Sequence, residues 1–288
     1  MSDTKSLINL LNKVLPIYIQ IFKLLKKQGA EWIQVDEPIL SLDLESQYKN
    51  KFLSVYKKLN KNSPKILLAS YFSSIYPSFN IIKKLKVDGI HFDLVNTNEK
   101  DLTKILQNFP KNKFFSAGII NGRNIWKNNL SNSIRIIEKI KRNIANDKLI
   151  ISSSCSLIHS PVDLNKENFL NKKIKDWLSF ADQKLKEITF LQRFFNLKLL
   201  KNDNYLISNI TSISKRKKSS LIHNKIVKKR INSIKPKMLK RQNSYLIRKM
   251  AQSELNLPIF PTTTIGSFPQ TKKVRQYRLK YKKNEITK

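Results

Sequence analysis

Five short apolar runs, each ending in polar residues and separated by helical patterns, constrain this chain more than any other feature. They are EWIQVDEP (31–38), KILLASY (65–71), GIHFDLV (89–95), FFSAGII (114–120) and LIISSS (149–154). Helical periodicity lies between several of them, at 80–85, 99–107 and 131–143. Strands alternating with helices predict parallel β/α units. Polar residues gather where these strands end: Asp36 and Glu37, Tyr71 and Ser73, Asp93, Asn121 and Arg123, Cys155 and His159. In a β/α barrel that end is the functional face. A complete barrel needs eight strands in about 250 residues. Five are read up to Cys155, and three more are not evident after it. The expected fold class is therefore α/β, an incomplete (β/α)8 barrel of the TIM type.

The flanks read differently. Residues 7–27 carry apolar side chains at helical spacing, with Pro16 predicting a kink or two shorter helices, and Gly29 a stop. Residues 169–200 predict a long helical stretch through Leu178, Phe180, Leu185, Ile188, Leu191, Phe194 and Phe195. Residues 202–240 include Lys215-Arg-Lys-Lys and Lys228-Lys-Arg, a basic linker that is helical or partly disordered. A further helix is expected at 245–256. Pro258 and Pro261 then mark a break, residues 262–265 can begin the first strand of a second barrel, and a basic helix follows Gln270.

The net charge is +36. It raises nucleic acid as a partner. The excess is mostly Lys, spread along the chain beside abundant Asn and Ile and scarce Gly, as AT-rich codon bias would produce. A phosphate-reading surface leans on the Arg fork, and the basic runs lack the interleaved aromatics that stack bases. Nucleic acid is therefore the less favoured partner. The single cysteine, Cys155, excludes an internal disulfide and fits a reducing compartment. The N-terminal residues lack a signal-peptide layout, and no apolar run approaches the roughly 20 residues that cross a bilayer. A cytoplasmic protein without a membrane partner is expected.

Five segments in one order carry a family resemblance: EWIQVDEP (31–38), VDGIHFDLV (87–95), SAGIINGRNIW (116–126), SSSCSLIHSPVDL (152–164) and PTTTIGSFPQT (261–271). Together they resemble the cobalamin-independent methionine synthases over nearly the whole chain. The resemblance implies three stretches: residues 1–163 as the later part of the N-terminal β/α barrel, 164–257 as a helical basic linker, and 258–288 as the start of a truncated C-terminal catalytic barrel. It implies methyl transfer from 5-methyltetrahydropteroyl-polyglutamate to homocysteine, giving methionine, with zinc and without cobalamin. The zinc binds the homocysteine sulfur, because the thiolate is the nucleophile and a metal lowers the thiol pKa. The family's ligands, one His, two Cys and one Glu, fall beyond the last residue of this sequence, so the chain alone is expected to be inactive. A separately encoded catalytic half is one expected partner. Ile265, Gly266 and Ser267 match the turn that meets the amino-acid end of homocysteine. If the two barrels are duplicates, Tyr71, Ser73, Asp93 and Cys155 stand where the catalytic barrel has its ligands, and this half has lost a metal site.

Several candidates carry two readings. Asn121 and Arg123, in Asn-Gly-Arg-Asn, can take a folate-tail carboxylate or simply form a helix-capping loop. Cys155 and His159 could begin a metal site, but two ligands do not complete one; the plainer role for the cysteine is a small apolar filler. Asp36 and Glu37 could act as an acid/base pair, yet neighbours on a strand face opposite ways. His91 reads as a packed core histidine and His223 as a solvated one. The alternative function is a basic non-catalytic remnant that binds nucleic acid or serves as a scaffold.

Overall fold

Each apolar run forms a strand: β1 Trp32–Asp36, β2 Lys65–Ala69, β3 Gly89–Asp93, β4 Phe114–Ile120 and β5 Leu149–Ser153. The computed structural model describes residues 4–199, 202–262 and 270–287, with backbone only at 4–9, 46 and 47. The helices of the first unit are α1 Thr4–Lys27, α2 Ser46–Leu59, α3 Phe79–Ile82, α4 Glu99–Gln107, α5 Leu130–Lys141, α6 Lys172–Lys175, α7 Ala181–Asn196 and α8 Asn204–Lys218. All strands are parallel and lie in chain order, β1-β2-β3-β4-β5. Parallel neighbours need a crossover, and crossovers of one hand between strands laid down in sequence keep the helices on one face. The result is an arc of a β/α barrel. Among the described residues no strand pairs with the outer edge of β1 or of β5, so the sheet is open.

Strand alternation separates two surfaces. Ile66, Leu68, Ile90, Phe92, Phe115 and Ala117 join Tyr56, Leu59, Ile82, Ile105 and Ile140 in the main core. Phe92 stacks on Phe115 with centroids 4.5 Å apart and meets Phe109 edge-on at 5.9 Å. The intervening residues Ala69, His91 and Ser116 stand in register on the other surface, as do Asp93 and Gly118. This concave side is polar where a closed barrel is filled with branched apolar residues. Asn98 and Asn129 cap α4 and α5 by accepting from Asp101 N and Asn132 N.

A second core joins Ile120, Leu130, Ile134 and Ile137 to Phe190, Leu191 and Phe194 of α7 and Leu206 of α8. Asn209 of α8 accepts from Leu130 N at 3.2 Å and donates to Asn128 O at 2.9 Å. It thereby satisfies a first-turn amide of α5 that the helix itself leaves orphaned.

Of the two readings at Pro16, two shorter helices do not form: Pro16 lies inside α1, a single helix, for proline removes a single backbone bond, and the apolar side that includes Leu15 and Phe22 is buried along the same element. The structure departs from the sequence reading in two places. Residues 169–200 are not one helix: α7 starts at Ala181, and Leu178 pairs in an antiparallel bridge with Trp126. The helix α2 was not anticipated.

The second unit, His223–Lys288, holds the helices α9 Lys225–Asn232, α10 Tyr245–Ser253 and α11 Lys272–Lys282. None of its described side chains is buried. The expected strand at 262–265 falls mostly outside the described residues, as do Ile265, Gly266 and Ser267. No described helix is long and apolar enough to cross a membrane.

Candidate functional site at the strand C-termini

At the end of β1 the two carboxylates part company. Glu37 Oε1 accepts from the Tyr56 hydroxyl of α2 at 2.9 Å. Burial pushes its carboxyl above the ordinary range, and the nearby Asp36 adds to this. Asp36 stays at the strand face, accepting from Gln34 Nε2 at 2.7 Å and from the Tyr71 hydroxyl at 3.3 Å. The pair is thus not one acid/base couple. A testable consequence follows from the sign of the Glu37 shift. Its folded pKa exceeds the ordinary 4.5, so the folded state holds the proton longer, and stability falls as pH rises from 4.5 to the folded value. Glu37→Gln keeps the acceptor for Tyr56 and removes the charge. Melting between pH 4.5 and 7 is expected to show a smaller decline in the variant than in the parent; an equal decline would rule out this role.

Asp93 ends β3 and is buried. Its Oδ2 accepts from Phe72 N at 2.9 Å and Asn96 Nδ2 at 2.8 Å, and its Oδ1 from Val95 N and Asn96 N, each at 3.1 Å. Phe72, just past β2, has φ +75. For a residue with a Cβ the left-handed region costs roughly 1–2 kcal/mol. The residue is 39% exposed and joins none of the core clusters. Instead its ring meets Tyr71 at 4.7 Å, His159 at 5.7 Å and the Arg123 guanidinium at 4.4 Å.

The loop after β4 carries Arg123. Asn121 Oδ1 accepts from Arg123 N at 2.9 Å and Asn124 N at 3.2 Å, which folds the loop onto itself. Gly122 is demanded by close packing: a Cβ there would lie 2.7 Å from Cys155 O and 2.9 Å from its Sγ. Lys184, fully buried on α7, anchors the same loop by donating to Asn124 Oδ1 at 3.2 Å and Trp126 O at 3.1 Å.

On the concave side His91 spans Ser116 Oγ at 2.9 Å and Ser154 O at 3.2 Å. A carbonyl only accepts, so Nε2 carries the proton and Nδ1 accepts from Ser116. Burial lowers the His91 pKa, which favours this neutral form. Cys155 is buried against Gly122, and burial raises its thiol.

These residues do not suit zinc. Both Asp93 oxygens are committed to N–H groups, the Tyr71 hydroxyl is turned to Asp36, and Cys155 is buried against Gly122. Among the described residues no three His, Cys, Asp or Glu side chains come together as a metal site. The structure brings Tyr71, Phe72, Arg123 and His159 into one cluster and leaves Glu37 outside it. Sequence reading missed Phe72, because a positive φ leaves no mark on a phenylalanine, and Lys184, because one buried lysine is invisible among 56 Lys and Arg residues.

Residues 1–145 match the N-terminal domain of the cobalamin-independent synthases, and residues 260–288 match the catalytic domain. Curated relatives called 5-methyltetrahydropteroyltriglutamate–homocysteine methyltransferase align over nearly all of the chain. The one from Coxiella burnetii is 43% identical over 96% of this chain and 36% of its own length. That from Blochmanniella pennsylvanica is 43% identical over 98% and 37%, and that from Xylella fastidiosa 38% identical over 99% and 38%. The chain therefore spans little more than a third of the curated relatives it matches. A solved structure described as a putative vitamin-B12-independent methionine synthase from Listeria monocytogenes is 12% identical, with a TM-score of 0.48, over 68% of this chain and 57% of its own. With both domains matched in order, and the first match alone covering half of its residues, the chain belongs to the cobalamin-independent methionine synthase family.

Proposed function

We propose that this chain serves the transfer of a methyl group from 5-methyltetrahydropteroyltriglutamate to homocysteine, as part of methionine biosynthesis in the cytoplasm. The observation that carries the reading is the alignment, at 43% identity over 96% of the chain, to a methyltransferase of that name. In this reading residues 1–163 supply the barrel arc, 164–257 the link, and 258–288 the opening of the catalytic barrel. Ile265, Gly266 and Ser267 meet the amino-acid end of homocysteine, where a glycine allows close approach and N–H and hydroxyl groups bind a carboxylate. Arg123 lies toward the folate tail, and Asn121 folds the loop that carries it. The zinc and the sulfur it activates are held by a separate stretch of polypeptide, so the 288 residues alone do not turn over.

The test is reconstitution. The chain is mixed, with zinc, with the part of the Coxiella burnetii relative that it does not match, and methionine is measured from both substrates. Methionine is expected from the mixture and not from the chain alone. No product from the mixture, under conditions where the whole relative is active, would sink the reading; product from the chain alone would sink the division of labour.

A further inference from the structure

Phe72 presents a puzzle of economy. A phenylalanine is normally held in place because burying its ring stabilises the fold. Here the residue is half-exposed, belongs to no core cluster, and sits on a backbone with φ +75 that glycine would adopt without strain. The conformation is held by a buried carboxylate, since Asp93 accepts the Phe72 amide at 2.9 Å. Strain that packing does not explain points to a use for the ring.

The use is visible in what lies on it. The Arg123 guanidinium lies over the Phe72 ring, its carbon 4.4 Å from the ring centroid. A cation held over a ring face gives up side-chain freedom before any ligand arrives, and the ring carries no charge to neutralise it. No Asp or Glu among the described residues forms an ion pair with Arg123. The neighbouring amides are turned elsewhere: Asn121 Oδ1 accepts from the loop backbone, and Asn124 Oδ1 accepts from Trp126 N and Lys184 Nζ. Tyr71 and His159 flank the same ring edge-on. The cluster stands at the C-terminal ends of parallel strands, where ligands of β/α folds bind.

We propose that Phe72 and Arg123 form a preorganised site for a carboxylate, with Phe72 as the positioning residue and the guanidinium fork as the contact. An oxyanion in the guanidinium plane would be taken bidentately, a geometry lysine cannot supply. The site is built from residues of the first unit alone. Its link to a glutamyl tail rests on the proposed function, but carboxylate binding itself does not.

The full 288-residue chain is titrated with tri-γ-glutamate, with tripolyphosphate in a parallel arm, at fixed salt. Three proteins are compared: the parent, Arg123→Lys and Phe72→Gly. Arg123→Lys preserves charge and is expected to bind tri-γ-glutamate at least tenfold more weakly. Phe72→Gly is expected to weaken binding severalfold while melting no lower than the parent, because glycine relieves the strain. Tripolyphosphate is expected to bind with little dependence on either residue, through the lysines of a chain with net charge +36. The proposal stands only if Arg123→Lys loses the tenfold and Phe72→Gly binds severalfold more weakly while keeping or raising the melting temperature; unchanged binding in Phe72→Gly overturns the positioning role. Binding of tri-γ-glutamate that is absent in the parent or unchanged in Arg123→Lys overturns it, and so does a lower melting temperature for Phe72→Gly, which would make the ring a packing element. Dependence of tripolyphosphate on Arg123 equal to that of tri-γ-glutamate would replace the carboxylate with a phosphate ligand. None of these readouts involves methyl transfer, so failed reconstitution leaves the site intact, and a failed site leaves the family reaction intact.

Discussion

Phe92→Ala is expected to destabilise the first unit by about 3–5 kcal/mol, the range for deleting a buried aromatic ring. Phe92 is fully buried in β3, one residue before its end. Its ring stacks on Phe115 at 4.5 Å and meets Phe79 at 6.1 Å and Phe109 at 5.9 Å, so the truncation opens a cavity bounded on several sides by other rings. Those neighbours belong to β4, α3 and the segment after α4, and cannot all collapse at once into the space. A domain is typically stable by only about 5–15 kcal/mol, so the loss is a large part of the total. Phe92→Leu, which keeps more of the volume, should cost clearly less. Urea midpoints of parent, Leu and Ala variants at a common slope check this. If alanine and leucine are equally mild, the aromatic cluster is not the keystone that its geometry suggests.

The same cluster shows why much of the fold was legible beforehand. β3 and β4 are short apolar runs with polar ends, and a parallel arrangement follows once a helical pattern separates them. α2 shows the limit. Its Lys49, Lys51, Lys57 and Lys58 mask a helical spacing of Tyr48, Phe52, Val55, Tyr56 and Leu59 that is plain once the helix is known. The break before α7 was hidden differently. Leu178 and Phe180 continue the apolar rhythm of the helix, but they are buried as an extended segment, with Leu178 bridged to Trp126. Periodicity alone does not distinguish the two.

At the site, the strand-end positions were readable and their use was not. Asp36 and Glu37 diverge because adjacent residues on an extended chain face opposite ways, which the sequence permits one to say. That Glu37 meets Tyr56 required α2. Arg123 was marked by its loop, while its resting place on Phe72 depends on two strand ends brought together across β3. Gly122 is required by the approach of Cys155 from the neighbouring strand end, which no local sequence pattern marks.

Asp93→Ala is the second large effect, expected at about 3–5 kcal/mol, as for loss of a buried hydrogen-bond network. Four N–H groups lose their acceptor together: Phe72 N, Val95 N, Asn96 N and Asn96 Nδ2. Bonds to a carboxylate are worth about 1.5–3 kcal/mol each, but the sum overshoots. Removing the carboxylate also removes the cost of burying it, and some of the freed donors reach water as the loops relax. Asp93→Asn, which keeps one oxygen able to accept, should cost roughly half as much on the same reasoning. A double-mutant cycle with Phe72→Gly then locates the role of the carboxylate. If Asp93 serves chiefly to hold Phe72 at its positive φ, its removal should cost less once glycine makes that conformation free, and the two effects will not add. Strict additivity would place its work in the turn at Val95 and Asn96, and would leave the strained ring supported by something other than the residue that now accepts its amide.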